Sequence, residues 1–153
     1  MTYWDRKLIR EQLDGKLVKL IPLSSLNIEK GWIKMIREAL GMSTKQLGKR
    51  VGIDQSRISR IENAEIESDL KLSSLKKIAD GLNMKFVYGF VPEGSLEDLV
   101  REQAKKIALK RMAKVSHTMR LEEQELSEDQ KQKVLDDLIQ KIMIEEPKDF
   151  WDQ

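Results

Sequence analysis

The chain has 153 residues with 28 Lys or Arg, 26 Asp or Glu and a formal net charge of +2, so its length supports one domain, or one small domain with extensions. It has no cysteine and a single histidine, His117, which excludes disulfides, a thiolate metal site, and a zinc site or catalytic triad built on histidines. No apolar run approaches the length that a membrane span needs, and the N-terminus is not a signal peptide, so we expect a cytoplasmic protein without a membrane segment.

Residues 1–27 are predicted to form an N-terminal amphipathic helix and a linker. Ile9, Leu13 and Leu17 repeat every four residues, which places them on one face of a helix, with charged side chains on the other faces. Pro22 is expected to end this helix. The sequence leaves open whether the apolar face packs against the rest of the chain or against a partner subunit.

Residues 28–83 are predicted to form a compact unit of four or five helices. Its first helix, from Glu29 to Leu40, is expected to bury four apolar side chains, Trp32, Ile33, Ile36 and Leu40. The last helix, from Leu72 to Leu82, has the same apolar periodicity, and we expect a loop over residues 63–69 before it.

Residues 41–63, inside this unit, have the signals of two helices joined by a tight turn. Ser43 is an N-cap candidate, and Gln46 stands at the spacing of a capping box. Gly52 suits the left-handed residue that ends a helix, because a Cβ is strained in that conformation. Asp54 is an N-cap candidate for the second helix.

The second helix of this pair has one polar face, formed by Gln55, Ser56, Ser59 and Arg60. In the DNA major groove, glutamine pairs with adenine edges, arginine with guanine edges, and serine with either. These four are therefore the candidate base-contacting residues. A short helical hairpin with a solvated polar face is the alternative that the segment alone leaves open.

Four neighbouring residues are candidates for contacts with DNA phosphates: Thr44, Lys45, Lys49 and Arg57. Thr44 and Lys45 start the first helix of the pair, where free backbone N–H groups favour anions. The stretch from Lys30 to Arg60 has eight Lys or Arg against two acidic residues, whereas the stretch from Leu121 onward has eleven acidic residues against four lysines. This uneven charge is typical of a nucleic-acid-binding part joined to a protein-binding part.

Residues 84–92 change period, because apolar side chains alternate there until Pro92, and this predicts a β-strand. A lone strand leaves its backbone N–H and C=O groups unpaired, so it needs a partner. We expect the same strand of a second subunit, paired antiparallel in a homodimer. Such a dimer would face two DNA half-sites roughly 34 Å apart. An internal pair with residues 16–23 is the alternative.

Residues 93–146 are predicted to form a C-terminal helical region, followed by a tail over 147–153. The first helix of this region starts at Ser95 and has no acidic residue from 103 to 119. Its basic surface is open to three interpretations: a second phosphate-binding surface, a surface for an acidic partner, or a solvated face. Ser127 and Gln130 have the spacing of a capping box for a last helix.

The segment 41–63 resembles the helix-turn-helix domains of the phage-repressor and XRE family. The resemblance rests on the pattern Gln-Leu-Gly-x-x-x-Gly-Ile-x-Gln-Ser-x-Ile-Ser-x-Ile-Glu-Asn. Gly48 departs from that family, which usually has alanine there. The resemblance implies a lambda-repressor-like fold and a largely buried, structural ion pair between Arg37 and Glu62.

The whole chain resembles the family called mobile mystery protein A. The segments that carry the resemblance are residues 31–43, the helix-turn-helix motif, and residues 86–92, 95–100 and 117–124. Members of that family are encoded beside a Fic-domain protein, so the resemblance implies a toxin–antitoxin-like pair. Fic enzymes transfer AMP from ATP to protein hydroxyls and are held off by a helix with the pattern Ser/Thr-x-x-x-Glu-Gly/Asn.

Thr118 and Glu122 match that inhibitory pattern, and Glu123 departs from it at the last position. The resemblance implies that Glu122 acts in trans, by pairing with an arginine of the Fic-domain partner that otherwise holds the ATP γ-phosphate. An ordinary exposed pair on one helix face is the alternative for Thr118 and Glu122.

We therefore expect a mainly α protein: a lambda-repressor-like helix-turn-helix domain with an N-terminal helix, one short β-strand and a C-terminal helical extension. Its expected function is that of a DNA-binding transcriptional regulator that represses its own operon and acts as an antitoxin. Its expected partners are operator DNA, a Fic-domain toxin and a second copy of the chain. A stand-alone XRE-type repressor is the alternative. We expect no enzymatic activity, cofactor or metal.

Overall fold

The computed structural model describes residues 1–26, 28–119 and 127–152, and for residues 115–119 it describes only the backbone. Within these ranges the fold is mainly α, with seven α-helices and one 3₁₀ helix. The α-helices are α1 (Tyr3–Leu17), α2 (Trp32–Ala39), α3 (Thr44–Val51), α4 (Gln55–Ile66), α5 (Leu72–Gly81), α6 (Leu96–Met119) and α7 (Glu128–Glu145). The 3₁₀ helix, Val18–Ser25, follows α1 and contains Pro22.

The chain divides into two compact units. The central unit is Pro22–Gly89 and holds α2 to α5. The split unit combines Met1–Ile21 with Phe90–Gln153, and so brings α1 together with α6 and α7. The sequence patterns predict the N-terminal helix and the C-terminal helical region as separate segments, whereas the structure places both in one unit.

The central unit has its own apolar core. Five side chains, one or two from each helix or helix end, are almost fully buried: Ile33, Leu47, Ile58, Ile78 and Leu82. Each of α2, α3, α4 and α5 therefore turns one apolar stripe inward, as the helical period of the sequence predicts. The two outer apolar residues of α2, Trp32 and Leu40, are 50% and 55% exposed, so their predicted burial is wrong. The helix is shorter than expected, because it begins at Trp32 rather than Glu29.

The turn between α3 and α4 is built from the caps that the sequence indicates. Ser43 and Gln46 form a reciprocal capping box at the start of α3, with N–O distances of 3.1 and 2.7 Å. Gly52 ends α3 with φ of 80°, in the left-handed region. Asp54 then caps α4 by accepting a hydrogen bond from the backbone N–H of Arg57 at 2.9 Å. These caps fix the chain direction on both sides of the turn.

Gly48 lies where α3 and the turn come closest together. Its carbonyl oxygen accepts hydrogen bonds from the backbone N–H groups of Gly52 and Ile53, at 2.8 and 2.9 Å. A Cβ on Gly48 would lie 2.5 Å from the carbonyl oxygen of Ile53. That contact is with backbone, which cannot rotate away as a long side chain can. The turn therefore packs so closely against α3 that it leaves no room for a side chain at position 48.

The split unit has a second core, formed by α1, α6 and α7. Its buried apolar side chains include Tyr3, Ile107, Ile142 and Phe150. Phe150 lies in the C-terminal tail, which is tied down because Gln103 Nε2 donates a hydrogen bond to its carbonyl oxygen at 2.6 Å. The tail thus belongs to the core of this unit.

Helix α1 contacts the rest of the split unit through polar side chains as well as through Tyr3. Arg10 is 9% exposed and pairs with Glu97, at 2.7 Å between Nε and Oε2. Asp14 accepts a hydrogen bond from the backbone N–H of Leu96 at 2.7 Å. Ile9 and Leu13, predicted to form the apolar face, are each 41% exposed. The prediction that Arg10 would face outward is wrong, because Arg10 is buried where it pairs with Glu97, whereas Glu11 and Lys16 of the same helix are exposed as expected.

No β-strand occurs in the described ranges of the chain, and residues 84–91 have no regular secondary structure. A single copy offers this segment no second strand, so the predicted pairing with another subunit stays a prediction. The internal alternative is wrong, because residues 16–23 are helical. None of the helices in the described ranges combines the length and apolar character that crossing a bilayer requires.

Gly48 and Gly15 both lie within α-helices and allow a matched test of the tight turn. Nothing lies within 4 Å of a Cβ built on Gly15, so Gly15→Ala should raise stability by about 0.5–1 kcal/mol through helix propensity. Gly48→Ala gains the same propensity but forces a clash with Ile53, which costs about 1–3 kcal/mol, so we expect a net loss. Amide hydrogen exchange in each unit measures both effects. An equal gain in both variants would show that the turn widens without cost.

Candidate nucleic-acid interface

The four candidate base-contacting residues all lie in the first half of α4. Gln55 is the first residue of that helix, and Ser56, Ser59 and Arg60 follow within two turns. All four are exposed, whereas Ile58, between them in the sequence, is fully buried. The helix therefore holds its apolar side against the core and turns a polar side to the solvent.

Hydrogen bonds within α4 link these side chains to one another and to the cap. Ser56 Oγ donates to Asp54 Oδ1 at 2.6 Å, and Arg60 Nη2 lies 3.5 Å from Ser56 Oγ. Ser59 Oγ lies 3.4 Å from the carbonyl oxygen of Gln55. The bond from Ser56, together with the backbone N–H of Arg57, lowers the pKa of Asp54. The cap is thus a carboxylate at neutral pH, and Ser56 donates its one hydroxyl proton in the hydrogen bond to this carboxylate.

The candidate phosphate-contacting residues surround the same turn. Thr44 is half-buried at the start of α3, and the other three, Lys45, Lys49 and Arg57, are exposed. Lys45 and Lys49 line a groove together with Gly52, Asp54 and Gln55. The structure therefore brings two lysines of α3 to the N-terminal end of α4, next to the first base-contacting candidate.

Arg37 of α2 and Glu62 of α4 form a buried, two-pronged ion pair. Arg37 Nε lies 2.6 Å from Glu62 Oε1, and Nη2 lies 3.2 Å from Oε2. The remaining Nη1 donates to the carbonyl oxygen of Met42 at 2.7 Å. The two residues are 8% and 5% exposed. The hydrogen bonds to Glu62 raise the pKa of Arg37, so the guanidinium stays charged although it is buried.

A second carboxylate, Glu65, also fixes α2, and sequence reasoning missed it. Its two carboxylate oxygens accept hydrogen bonds from the backbone N–H groups of Trp32 and Ile33, at 2.9 and 3.0 Å, so it caps α2 from another helix. The predicted loop over 63–69 is wrong in its first half, because α4 continues to Ile66. The signal that could have shown this is the three-residue spacing of Glu62 and Glu65, which puts both on one face of a longer helix.

Gly31 completes this contact, because it allows Glu65 to approach the start of α2. It adopts φ of 77°, in the left-handed region that favours glycine. A Cβ there would lie 2.9 Å from Glu65 Oε2. The N-terminus of α2 is therefore closed by a carboxylate that needs a glycine beside it.

The residues assigned to toxin inhibition are not part of this site. Glu122 lies outside the described residues, and for Thr118 only the helical backbone of α6 is described. Their predicted role stays a prediction. Among the described residues, no group of three or more His, Asp or Glu is arranged to hold a metal ion.

These elements define a class of protein. A capped helix, a tight turn and a second helix with an exposed polar N-terminal face form a helix-turn-helix, a fold in which the second helix reads DNA. Comparison with family models agrees, because residues 33–88 match HTH_3, the helix-turn-helix family. The predicted XRE-type helix-turn-helix domain is thereby confirmed over these residues. Searches of curated proteins and of solved structures found no similar protein.

A stability experiment tests how the Arg37–Glu62 pair holds α2 to α4. We expect Arg37→Met or Glu62→Leu alone to lower the free energy of unfolding by about 3–5 kcal/mol, because each leaves a buried charge unpaired. The double variant should recover most of that loss, since two apolar side chains need no partner. Urea unfolding measures all three variants.

The exposed pair of Lys131 and Glu128 provides the control. Their side chains are 55% and 91% exposed, so Lys131→Met should change stability very little. If the two single variants of the buried pair behaved like this control, the pair would not anchor α2.

Proposed function

We propose that this protein is a sequence-specific transcriptional regulator that inserts the first half of α4 into the DNA major groove. The observation that carries the proposal is the exposed polar face of Gln55, Ser56, Ser59 and Arg60 on a helix whose opposite side is buried. In a helix-turn-helix the second helix enters the major groove and its first residues contact base edges. An HTH_3 match over residues 33–88 supports the same class of function.

The chemistry of the four side chains assigns each a preference. Gln55 suits an adenine edge and Arg60 a guanine edge, because each can form two parallel hydrogen bonds there. Ser56 donates its proton to Asp54, so its hydroxyl is left to accept a hydrogen bond from the DNA. An accepting hydroxyl pairs with the amino group of adenine or cytosine. Ser59 keeps only a long hydrogen bond of 3.4 Å to Gln55, so it is free to donate or accept.

Contacts with phosphates would fix the register of α4 on the duplex. Thr44 and Lys45 start α3, so a phosphate there meets backbone N–H groups, a hydroxyl and an ammonium. Lys49 and Arg57 add two exposed cations on either side of the turn. Such contacts attract DNA of any sequence, whereas the face of α4 discriminates among sequences.

We propose further that the protein acts as a homodimer joined through residues 84–91. Val87, Tyr88 and Phe90 are 66–80% exposed, and Phe86 stacks on Tyr88 at 6.1 Å between ring centres. An exposed apolar segment without regular secondary structure is suited to pair with its own copy. A two-fold axis there would offer one α4 to each half of a palindromic site.

Variants of the two contact classes test the DNA-binding role on a site selected from random DNA. Arg60→Ala should lower discrimination at one base pair by about 1–3 kcal/mol, because it removes a base contact. Lys45→Gln should weaken binding to all sequences alike and reduce the slope of log K against log salt by about 0.9, because it removes a phosphate contact. Fluorescence anisotropy at several salt concentrations measures both.

Lys76→Gln is the matched control, because Lys76 is an exposed lysine of α5 outside the interface. It should leave affinity and preference as in the wild type. A wild-type protein that selects no sequence, or an Arg60→Ala variant with unchanged preference, would contradict the proposed reading by α4.

The antitoxin role is the finer part of the proposal and is supported by the resemblance to mobile mystery protein A. Under this proposal, the segment with Thr118 and Glu122 inhibits a Fic-domain partner, and DNA binding represses the operon that encodes both proteins. A carboxylate in the site of the ATP γ-phosphate would misplace the nucleotide. A stand-alone repressor without an enzyme to inhibit is the alternative.

Co-expression with the neighbouring Fic-domain protein tests this role. Glu122→Gly should release AMP transfer by the partner and leave DNA binding unchanged, because the carboxylate is needed only at the enzyme. Glu125→Gly removes a nearby acid outside the pattern and should leave the partner inhibited. Full suppression of AMP transfer by the Glu122→Gly variant would make the inhibitory role wrong and favour the stand-alone repressor.

A further inference from the structure

Helix α6 carries a surface of cations that the helix-turn-helix does not use. Between residues 101 and 111 it exposes five of them: Arg101, Lys105, Lys106, Lys110 and Arg111. Its buried stripe, which includes Val100, Ala104, Ile107 and Ala108, lies on the other side of the helix. We name these five residues the cationic face. It extends for about 15 Å along the helix, at 1.5 Å per residue.

None of the ion pairs among the described residues involves the cationic face, although hydrogen bonds from Ser95, together with the charge of Arg101, lower the pKa of Asp98. Glu102, the nearest acid in sequence, is not paired with it, and no acidic residue follows until residue 122. Helix α7 of the same unit differs, because Lys131 pairs with Glu128 at 3.3 Å and Lys141 with Glu145 at 3.8 Å. A surface that needs only solubility can be built like α7, with both signs of charge interspersed.

The cationic face also costs helix stability. Arg101 and Lys105, and likewise Lys106 and Lys110, are four residues apart, and like charges at that spacing repel by about 0.2–0.5 kcal/mol per pair. Glu102 offsets part of this repulsion, because it stands four residues before Lys106, and the remaining cost comes from the surplus of cations. An anion that sits between such pairs would remove the repulsion, so the arrangement favours binding of a polyanion.

The composition of the face favours a phosphate backbone over an acidic protein. Three of its five cations are lysines, which protein–protein interfaces disfavour, and Leu109 is the single large apolar side chain exposed between residues 101 and 114. DNA-binding surfaces are instead polar and positively charged. One DNA strand carries one phosphate per roughly 3.4 Å of duplex axis, so a face parallel to that axis spans the rise of roughly four phosphates.

We propose that the cationic face of α6 binds phosphates of the same DNA duplex that α4 reads, as a second, sequence-independent contact. This inference rests on the proposed DNA-binding function and adds to it. It predicts that affinity and salt dependence come from both units of the chain, whereas base preference comes from the central unit alone. Removing the face should therefore weaken binding without changing which sequence is preferred.

A triple substitution tests this division. Lys105→Gln, Lys106→Gln and Lys110→Gln together should reduce the slope of log K against log salt by about 0.9 for each phosphate that the variant no longer binds, up to about 2.7. The ranking of operator variants should stay the same. The control is Lys131→Gln, Lys133→Gln and Lys141→Gln, which removes the same charge from α7 and should leave the slope unchanged. Circular dichroism checks that both triple variants keep their helices.

The outcomes separate this inference from the proposed function. A wild-type protein without any sequence preference would overturn the DNA-reading role. A wild-type protein that selects a sequence, with equal slopes for the two triple variants, would overturn the role of the cationic face alone. Loss of binding to poly-glutamate with an unchanged DNA slope would likewise overturn it and assign the face to an acidic protein.

Discussion

The central unit depends on two carboxylates of α4 that hold α2. Glu62 binds the guanidinium of Arg37, and Glu65, one turn later, binds the backbone N–H groups that start α2. Both interactions are polar and directional, so they fix the rotation of α4 about its own axis as well as its distance from α2. The proposed reading of bases by α4 needs such fixing, because a small rotation would move all of its exposed polar side chains at once. The second half of α4 therefore orients the first.

Because the second half of α4 holds the helix in place, the exposed face of its first half can stay polar without loss of stability. The buried stripe of α4, with Ile58 at its centre, supplies the apolar contact, and Asp54 supplies the cap. Gln55 and Arg60 are therefore not needed for folding, and their identity is available for recognition. Gly48 contributes at the other end, because the lack of a Cβ lets the turn bring α3 close to the start of α4.

Local signals of the sequence predicted most of the central unit. Ser43, Gly52 and Asp54 act as caps over neighbouring residues, and short-range signals of this kind are readable from the chain. The HTH_3 match confirms the domain that they indicate. The end of α4 was misjudged, because nothing local shows that Glu65 is needed by α2, whose first residues lie 32 and 33 positions away in the sequence. Contacts over such separations follow from the fold, and local patterns do not contain them.

The orientation of α1 could not be predicted for a related reason. Periodicity identifies the apolar face of a helix, but it does not say whether the element that covers this face belongs to the same chain. Here Arg10 and Asp14 dock α1 to partners more than eighty residues away, and Ile9 and Leu13 remain exposed. The apolar segment 84–91 is in a similar position, since it has no regular secondary structure in a single copy. Sequence patterns thus indicate that a segment is apolar or cationic, but they do not say what covers it. Under the two proposals, the exposed apolar segment 84–91 pairs with another backbone and the row of cations on α6 binds phosphates, so the two surfaces would have different partners for independent physical reasons.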